Sequence, residues 1–346
     1  MKERIKSIDL IRIISILAVL VIHTTTRTLE ASKYNLVGFP VSIFLNQIAR
    51  FAVPVFFIIS GFVLEYSWDN NLNYFQFIKK RLSKIFIPFV FWSGLYYLFV
   101  YTQNHENFIQ VLLKGDSSYQ LYFIPTLCIF YMAFPLLHKI YRYLAMPLVL
   151  AFLIVSQLYL LYHDYFVNTF KYSDPIHVAL LSYSFFIIGI VAGRNKDKIM
   201  NFIQRWKYII FPATIFSGLY VFWEGRSRYL VTNNYFNFYS QWRPSVLVYS
   251  ILIALTLFYI FEKVVISQPE AGPPWAGKLS FFVFFVHVAV LESFWSLIGK
   301  NLFNQMSQNF FSRGFFDIIF FGVVTGVSFL IAFIIHKIPK LNKITG

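Results

Sequence analysis

The sequence predicts an all-α integral membrane protein with about ten transmembrane helices in one bundle. Of its 346 residues, 58% are hydrophobic and 13% are charged, whereas soluble domains are roughly 45–50% apolar and about 25% charged. The mean hydropathy is +0.61, and apolar runs of about 20 residues, the length that crosses a bilayer, recur along the chain. These values exclude an ordinary soluble enzyme, a disordered chain and a disulfide scaffold.

Polar stretches separate the apolar runs and divide the chain into its expected spans. The spans cover residues 8–26, 40–66, 85–102, 119–138, 145–163, 177–193, 208–223, 244–262, 278–299 and 315–336. The first run follows a basic stretch like that of a signal peptide, but it contains Asp9 and Arg12 and has no small-residue cleavage site, so we expect a retained helix. Residues 1–346 are expected to form one membrane domain without a separate soluble domain.

The charge distribution predicts the orientation of the chain. The net charge is +15, which in a soluble protein would raise the question of nucleic-acid binding. With the N-terminus in the cytoplasm, loops on that side carry about twice as many Lys and Arg residues as the outer loops, which include Arg243 and Arg313. We therefore expect both termini in the cytoplasm of a bacterial-type plasma membrane, with membrane lipids as partners and no nucleic acid.

Metal and thiol chemistry find little support in the sequence. Cys128, the single cysteine, lies in an apolar run and is interpreted as a core residue. No histidine has the spacing of a metal ligand, and no glycine-rich phosphate loop is present. We expect no metal cofactor.

Arg12 and His23 are the first candidates for function, because charge inside a span is costly and usually faces the bundle interior. They are eleven residues apart, within about 20° of three full helical turns, so both project from one face, separated by roughly 16 Å along the axis. The structural alternative is that Arg12 snorkels to the headgroups and His23 sits near the outer interface.

The second span carries a further cation, Arg50, on the same helix face as Asn46. An arginine at this depth needs a partner or a water-filled cavity, although a polar cluster that ties helices together is the simpler interpretation. The following segment, residues 77–88, is basic and amphipathic, which is typical of contact with anionic lipid and also suits a phosphate-bearing cofactor.

Two other regions have open roles. His287 and Glu292 are five residues apart, about 140° around a helix, so they do not form a same-face pair; the sequence favours a structural or secondary role for His287. The outer loop 224–243 is rich in aromatic and polar residues. It suits stacking on sugar rings, but such a loop is more often an interfacial aromatic belt.

Taken in order, these motifs resemble the membrane-bound acyltransferase 3 family over nearly the whole chain. The first helix matches that family's Arg-x10-His pattern with Arg12 and His23. The other matching blocks are Phe56-Phe57-Ile58-Ile59-Ser60-Gly61-Phe62, then Arg81, Lys84 and Pro88, then Tyr122, Phe123, Tyr131 and Pro135, and finally Leu279, Ser280, Phe285, Val286 and His287. Phe284 or Phe285 stands where the family usually has Tyr, and Tyr122 where Trp is common, which bears on substrate detail.

The resemblance implies transfer of an acyl group, often acetyl, from cytoplasmic acyl-CoA to a hydroxyl of a cell-envelope glycan or lipid-linked acceptor. The residues implied in binding the acyl-CoA are Arg12, Ser60, Arg81 and Lys84. Clustered cations suit its phosphates. His23 would be the general base or a transient acyl carrier, since the ordinary imidazole pKa near 6.5 suits both tasks.

Arg50, from its depth and charge, is expected to stabilise the developing oxyanion. The main alternative function is export or transport of a polysaccharide or small solute, which intramembrane acidic residues coupled to ions would favour. A non-catalytic scaffold does not explain why Arg12 and His23 share a face. The acyl group, the acceptor and the oligomeric state stay open.

Overall fold

The chain folds into a bundle of helices, as seen in a computed structural model that describes residues 5–32, 40–68, 73–100, 107–167, 174–232, 238–268, 274–307 and 309–338. No strand occurs in these ranges. Three predicted features lie partly outside them: residues 1–4 of the basic N-terminal stretch, residues 233–237 of the outer loop, and residues 101–102 of the third span. Within the described ranges the chain is helical, which confirms the predicted all-α membrane fold.

The helices follow one another with short connections. They are α1 (Lys6–Ala31), α2 (Pro40–Ile48), α3 (Ala52–Tyr66), α4 (Tyr74–Leu95), α5 (Phe108–Lys114), α6 (Phe123–Lys139), α7 (Tyr141–Leu144), α8 (Pro147–Phe166), α9 (Pro175–Leu180), α10 (Tyr183–Arg194), α11 (Lys196–Thr232), α12 (Pro244–Ser267), α13 (Pro274–Phe294), α14 (Lys300–Met306) and α15 (Phe310–His336). A 3₁₀ turn, Ala49–Phe51, joins α2 to α3, and π turns extend α4 and α13.

Seven segments of the described chain are long and apolar enough to cross a membrane by length and composition. They are Lys6–Ala31, Val41–Tyr66, Tyr74–Phe99, Pro147–Phe166, Pro244–Ser267, Leu279–Met306 and Phe311–His336. Two shorter apolar helices, Phe123–Lys139 and Tyr183–Arg194, match two further predicted spans. The expected span 208–223 lies inside the 37-residue helix α11. The orientation of the termini stays a prediction.

Some boundaries differ from the sequence prediction. The expected span 177–193 is divided into α9 and α10 by a turn at Leu181 and Ser182. The expected span 119–138 becomes helical only at Phe123, because residues 119–122 form a turn. Hydropathy does not register these turns, because each is short and lies within or beside a longer apolar run.

Glycines let α3 and α10 pack with their backbones in contact. Gly189 and Gly193 form a Gly-x-x-x-Gly pair on α10, the spacing that allows close approach of membrane helices. A Cβ added to Gly189 would lie 2.0 Å from the carbonyl oxygen of Ile58, and one on Gly61 would lie 2.1 Å from that of Phe186. This close pair fixes α3, which follows Arg50 directly and carries Ser60.

α1 occupies the middle of the bundle and packs against α2, α3, α12, α13 and α15. Asn46 of α2 ties α1 to its neighbour, because its amide donates to the Ile22 carbonyl oxygen at 3.2 Å and to the hydroxyl oxygens of Thr25 at 2.9 Å and Thr26 at 3.0 Å. These bonds surround His23 in the chain, so the last turns of α1 are held in register with α2.

Arg243 and Arg313, which the sequence assigns to outer loops, are both fully buried. Arg313 forms an ion pair with Asp317 at 3.3 Å and lies over the Phe303 ring. Arg243 lies 3.4 Å from Glu224. Each sits next to an apolar run, where hydropathy alone assigns it to a loop.

Candidate active site

A cavity of about 750 Å³ lies beside the C-terminal half of α1. We call it the His23 cavity. Its lining includes the apolar residues Val19, Ile22, Val53, Phe123, Phe284 and Trp242, the polar residues Thr26, Ser118, Tyr119, Gln120, Tyr122, Tyr239, Ser240 and Gln241, and the charged residues Arg27, Glu30, Arg50, Asp116 and Glu292. His23 and Arg50, the two residues predicted to act in the reaction, both line it.

His23 lines this cavity from a half-buried position on α1, between the buried residues Ile22 and Thr24. Its ring is flanked by two others, Tyr119 with a centroid distance of 4.8 Å and His287 with one of 5.2 Å. Arg50 lies within electrostatic range of the His23 ring. The histidine is therefore half-buried, next to one cation and accessible from the cavity.

Arg50 is buried and held on two sides. Its Nη1 donates to the backbone oxygen of Tyr239 at 2.6 Å, and its Nη2 donates to the side-chain oxygen of Asn46. Both predicted interpretations of Arg50 are thus present together, since it belongs to a polar cluster between helices and also lines a cavity. A guanidinium held in this way is oriented before any ligand binds.

Gln47 and Arg243 extend the cluster behind the cavity wall. Arg243 donates to the side-chain oxygen of Gln47 at 2.7 Å, and Gln47 in turn donates to the Phe238 carbonyl oxygen at 3.0 Å. Gly225 of α11 allows this arrangement, because a Cβ there would lie 2.4 Å from the Gln47 oxygen. The network fixes the segment 238–243 against α2.

The opening of the cavity carries charge of both signs. Arg27 lies 3.2 Å from Glu292 and 3.6 Å from Glu30, and the Tyr239 hydroxyl donates to Glu30 at 3.2 Å. Glu292, whose role the sequence left open, therefore belongs to the rim of the His23 cavity. Residues 239–242 of the predicted outer loop 224–243 also line the cavity. Residues 224–232, which were expected in that loop, instead continue helix α11.

The other predicted residues gather at the end of the bundle where α1 begins. The Tyr131 hydroxyl lies next to Ser60 and within electrostatic range of Arg12 and Arg81. Arg12 forms an ion pair with Asp9 at 3.3 Å, and Arg81 donates to the Ser67 hydroxyl at 2.8 Å. We call Arg12, Ser60, Arg81 and Tyr131 the Arg12 cluster.

The structure thus divides the predicted site residues into two groups. The Arg12 cluster does not line the His23 cavity, but both groups face the segment 119–139, as the shared face of Arg12 and His23 predicts. Lys84 stands apart, exposed on α4 about one turn beyond Arg81. The forked guanidinium groups and hydroxyls of the Arg12 cluster fit the phosphates of a nucleotide.

Sequence reasoning missed several residues of the site. Tyr119 and His287 beside His23 were not expected there, and neither was the hydrogen bond from Gln241 to the Tyr122 hydroxyl. Tyr119 carries no helical pattern, since it lies in a turn. Among the described residues, no group of His, Cys, Asp and Glu is arranged to hold a metal ion.

Comparison with known proteins identifies a family and several relatives of this chain. The family model described as "Acyltransferase domain" (Acyl_transf_3) matches residues 5–337. A Staphylococcus aureus (strain MRSA252) protein named "Probable poly-beta-1,6-N-acetyl-D-glucosamine export protein" is 24% identical over 94% of this chain and 94% of its own length. A Staphylococcus epidermidis protein of the same name is 24% identical over 93% and 91% of the two chains.

A third relative, from Bacillus subtilis (strain 168), is named as a membrane-bound acyltransferase and is 24% identical over 88% of this chain and 84% of its own length. No solved structure matches the chain significantly. The family match covers nearly every described helix, including those that carry His23, Arg50 and the Arg12 cluster. The chain belongs to the Acyl_transf_3 family of acyltransferases and is a multi-pass membrane enzyme of that kind.

Proposed function

We propose that this enzyme moves an acyl group, acetyl in the first instance, from cytoplasmic acyl-CoA to a hydroxyl of a cell-envelope glycan or lipid-linked sugar. The observation that carries the proposal is the presence of His23 and Arg50 in the wall of one cavity. An imidazole that can take a proton and a fixed guanidinium that can stabilise an oxyanion are the two groups that acyl transfer to a hydroxyl requires.

The acceptor half of the proposal is supported by the lining of the His23 cavity. Hydroxyl, amide and aromatic groups form part of this lining, among them Tyr239, Gln241 and Trp242. Sugars present hydroxyls for hydrogen bonds and apolar ring faces for contact with aromatic side chains, so this composition suits a glycan better than a compact apolar solute.

The donor half is supported by the Arg12 cluster. Arg12 and Arg81 would bind the phosphates of acyl-CoA, with Ser60 beside them and Lys84 adding charge at the outer edge. Arg12 and His23 are roughly 16 Å apart along α1. An extended pantetheine arm that follows this face of the helix would bring the thioester to His23.

In the proposed reaction His23 accepts the proton of the acceptor hydroxyl while its oxygen attacks the thioester carbon. Negative charge collects on the carbonyl oxygen, where Arg50 stabilises it. The carbon–sulfur bond then breaks, and the leaving thiolate takes the proton from His23. A transient acyl-His23 is the alternative route with the same products.

Mass spectrometry of envelope glycans from cells with and without this protein tests the proposal. The expected result is that sugars gain an acyl mass, about 42 Da for acetyl, only in cells that contain the protein. Purified enzyme with radiolabelled acetyl-CoA should also release free CoA thiol. Identical glycan masses in both strains and no thiol release would reject the proposal.

Export is the second candidate, because the staphylococcal relatives are named for export of poly-β-1,6-N-acetyl-D-glucosamine. The two candidate functions predict different polymers in cells that lack the protein. Export requires that polymer accumulate inside the cell with unchanged acyl content, whereas acyl transfer requires surface polymer of changed mass.

A further inference from the structure

His287 lies at the centre of the bundle, fully buried on α13 beside the ring of His23. Its Nδ1 lies 3.1 Å from the backbone oxygen of Val283, one turn earlier on the same helix. A carbonyl oxygen only accepts hydrogen bonds, so Nδ1 carries the proton of the neutral ring. The other nitrogen, Nε2, is therefore a bare acceptor.

This Nε2 has no hydrogen-bond partner among the described residues, although it is buried. A buried acceptor without a partner loses its bonds to water and gains none, so such groups are rare in folded proteins unless they serve a purpose. The ring cannot turn this nitrogen elsewhere without losing the backbone bond to Val283.

The distance to His23 suits one hydrogen bond between the two rings. The N···N distance of such a bond is about 3 Å, and each nitrogen lies about 1 Å from its ring centre, which gives centroids about 5 Å apart. The observed centroid distance is 5.2 Å, with the ring planes 32° apart. Because His287 Nε2 has no partner in the structure, the inferred bond requires a rotation of the His23 ring about its own side-chain bonds.

We infer that His287 is a positioning residue for His23: its Nε2 accepts the N–H of the His23 ring and leaves the second His23 nitrogen bare toward the cavity. This inference rests on the proposed function, because it assigns a role within that reaction. The bare nitrogen takes the hydroxyl proton as the new carbon–oxygen bond forms, and it returns that proton to the leaving thiolate. His287 gains and loses no proton.

The test compares His287→Leu with His287→Gln in the purified full-length enzyme, with acetyl-CoA as donor and an N-acetylglucosamine pentamer as the probe acceptor. Leu fills the space but removes the acceptor atom, whereas the Gln side-chain oxygen can still accept from His23. His336→Leu, which removes an exposed imidazole at the end of α15, is the matched control.

We expect His287→Leu to lower kcat by about 10²-fold, the lower end for a general base that has lost its orientation. Acetyl-CoA affinity and both KM values should stay within about twofold, since His287 touches neither substrate. His287→Gln should recover kcat to within about tenfold of the native enzyme. The His336→Leu enzyme should match the native one.

Three outcomes would overturn the inference: an undiminished kcat in His287→Leu, equal losses in the Leu and Gln variants at equal thermal stability, or a loss that appears in KM alone. If the native enzyme neither cleaves acetyl-CoA nor modifies glycans, the proposed function fails first, and that result differs from a failure of His287 alone.

Discussion

The His23 cavity and the Arg12 cluster lie at two levels along α1, and their polar groups are fixed in different ways. In the cavity, Arg50 is buried and bonded to the Tyr239 backbone and to Asn46. In the cluster, the Arg12 side chain is 30% exposed and pairs with Asp9 one turn away on its own helix. Arg50 is therefore held in one orientation, whereas Arg12 is a long, partly exposed side chain that can adjust to a ligand.

Under the proposed function, this difference corresponds to separate tasks for the two regions. Stabilisation of a transition state depends on dipoles and charges that are oriented beforehand in a low-dielectric site. Attraction of a polyanion requires charge at the right end of the bundle and tolerates mobile side chains. Substitutions in the cavity should therefore change kcat, and substitutions in the cluster should change acyl-CoA affinity.

The largest effect is expected from a substitution that prevents folding and so disrupts both the His23 cavity and the Arg12 cluster. Gly189→Leu places a side chain where even a Cβ would lie 2.0 Å from the Ile58 carbonyl oxygen, so α10 must separate from α3 and the folded protein should be lost. Gly322→Leu on α15 is the matched control, because a Cβ there meets nothing within 4 Å. Abundance and thermal unfolding in detergent measure both variants; a stable Gly189→Leu protein would contradict the close packing.

His23→Ala should distinguish most clearly between an effect on the His23 cavity and an effect on the Arg12 cluster. Loss of the general base is expected to lower acyl transfer by about 10³-fold, while acetyl-CoA affinity stays near the native value because the Arg12 cluster is untouched. Mass spectrometry of the glycan and calorimetric titration of acetyl-CoA give the two readouts. Undiminished transfer by a normally abundant variant would remove His23 from the reaction.

Arg50→Lys tests whether orientation, and not charge alone, matters in the cavity. Lysine keeps the charge but lacks the planar fork that bonds Asn46 and Tyr239 together. We expect kcat to fall by about 10²-fold, the range for loss of an oxyanion donor, with little change in acetyl-CoA affinity. Arg142→Lys, at an exposed arginine, is the control, and equal activity of the two variants would reject the assignment of Arg50.

The sequence was sufficient to predict most of the helices, because the length and hydropathy of an apolar run are local properties of the chain. The shared face of Arg12 and His23 follows from spacing alone. What it missed depends on long-range contact: His287 reaches His23 from α13, and Arg243 is buried only because Gln47 and Glu224 meet it there. In each case the contacting residues are far apart in the sequence, so no local pattern predicts the contact.

Arg12→Ala should affect the cluster and leave the cavity intact. Arg12 is partly exposed, so loss of its proposed contact with a phosphate is expected to weaken acetyl-CoA binding about tenfold, or about 1.4 kcal/mol. The value of kcat at saturating acetyl-CoA should stay unchanged. Titration with intact CoA and with CoA that lacks its 3′-phosphate shows which phosphate Arg12 contacts. Arg205→Ala, an exposed arginine on α11, controls for net charge. Unchanged affinity in Arg12→Ala would exclude Arg12 from the donor site.

Lys84→Ala should have the smallest effect and sets the boundary of the Arg12 cluster. Lys84 is exposed on α4, where solvent and salt screen its charge, so we expect acetyl-CoA affinity to fall by about twofold at low salt and to match the native value at high salt. Lys80→Ala, at another exposed lysine of α4, should behave alike. If Lys84→Ala instead weakened binding as strongly as Arg12→Ala at every salt concentration, the phosphates would bind on the outer face of α4. The pantetheine arm would then have to enter past Arg81, and the path along α1 would have to be abandoned.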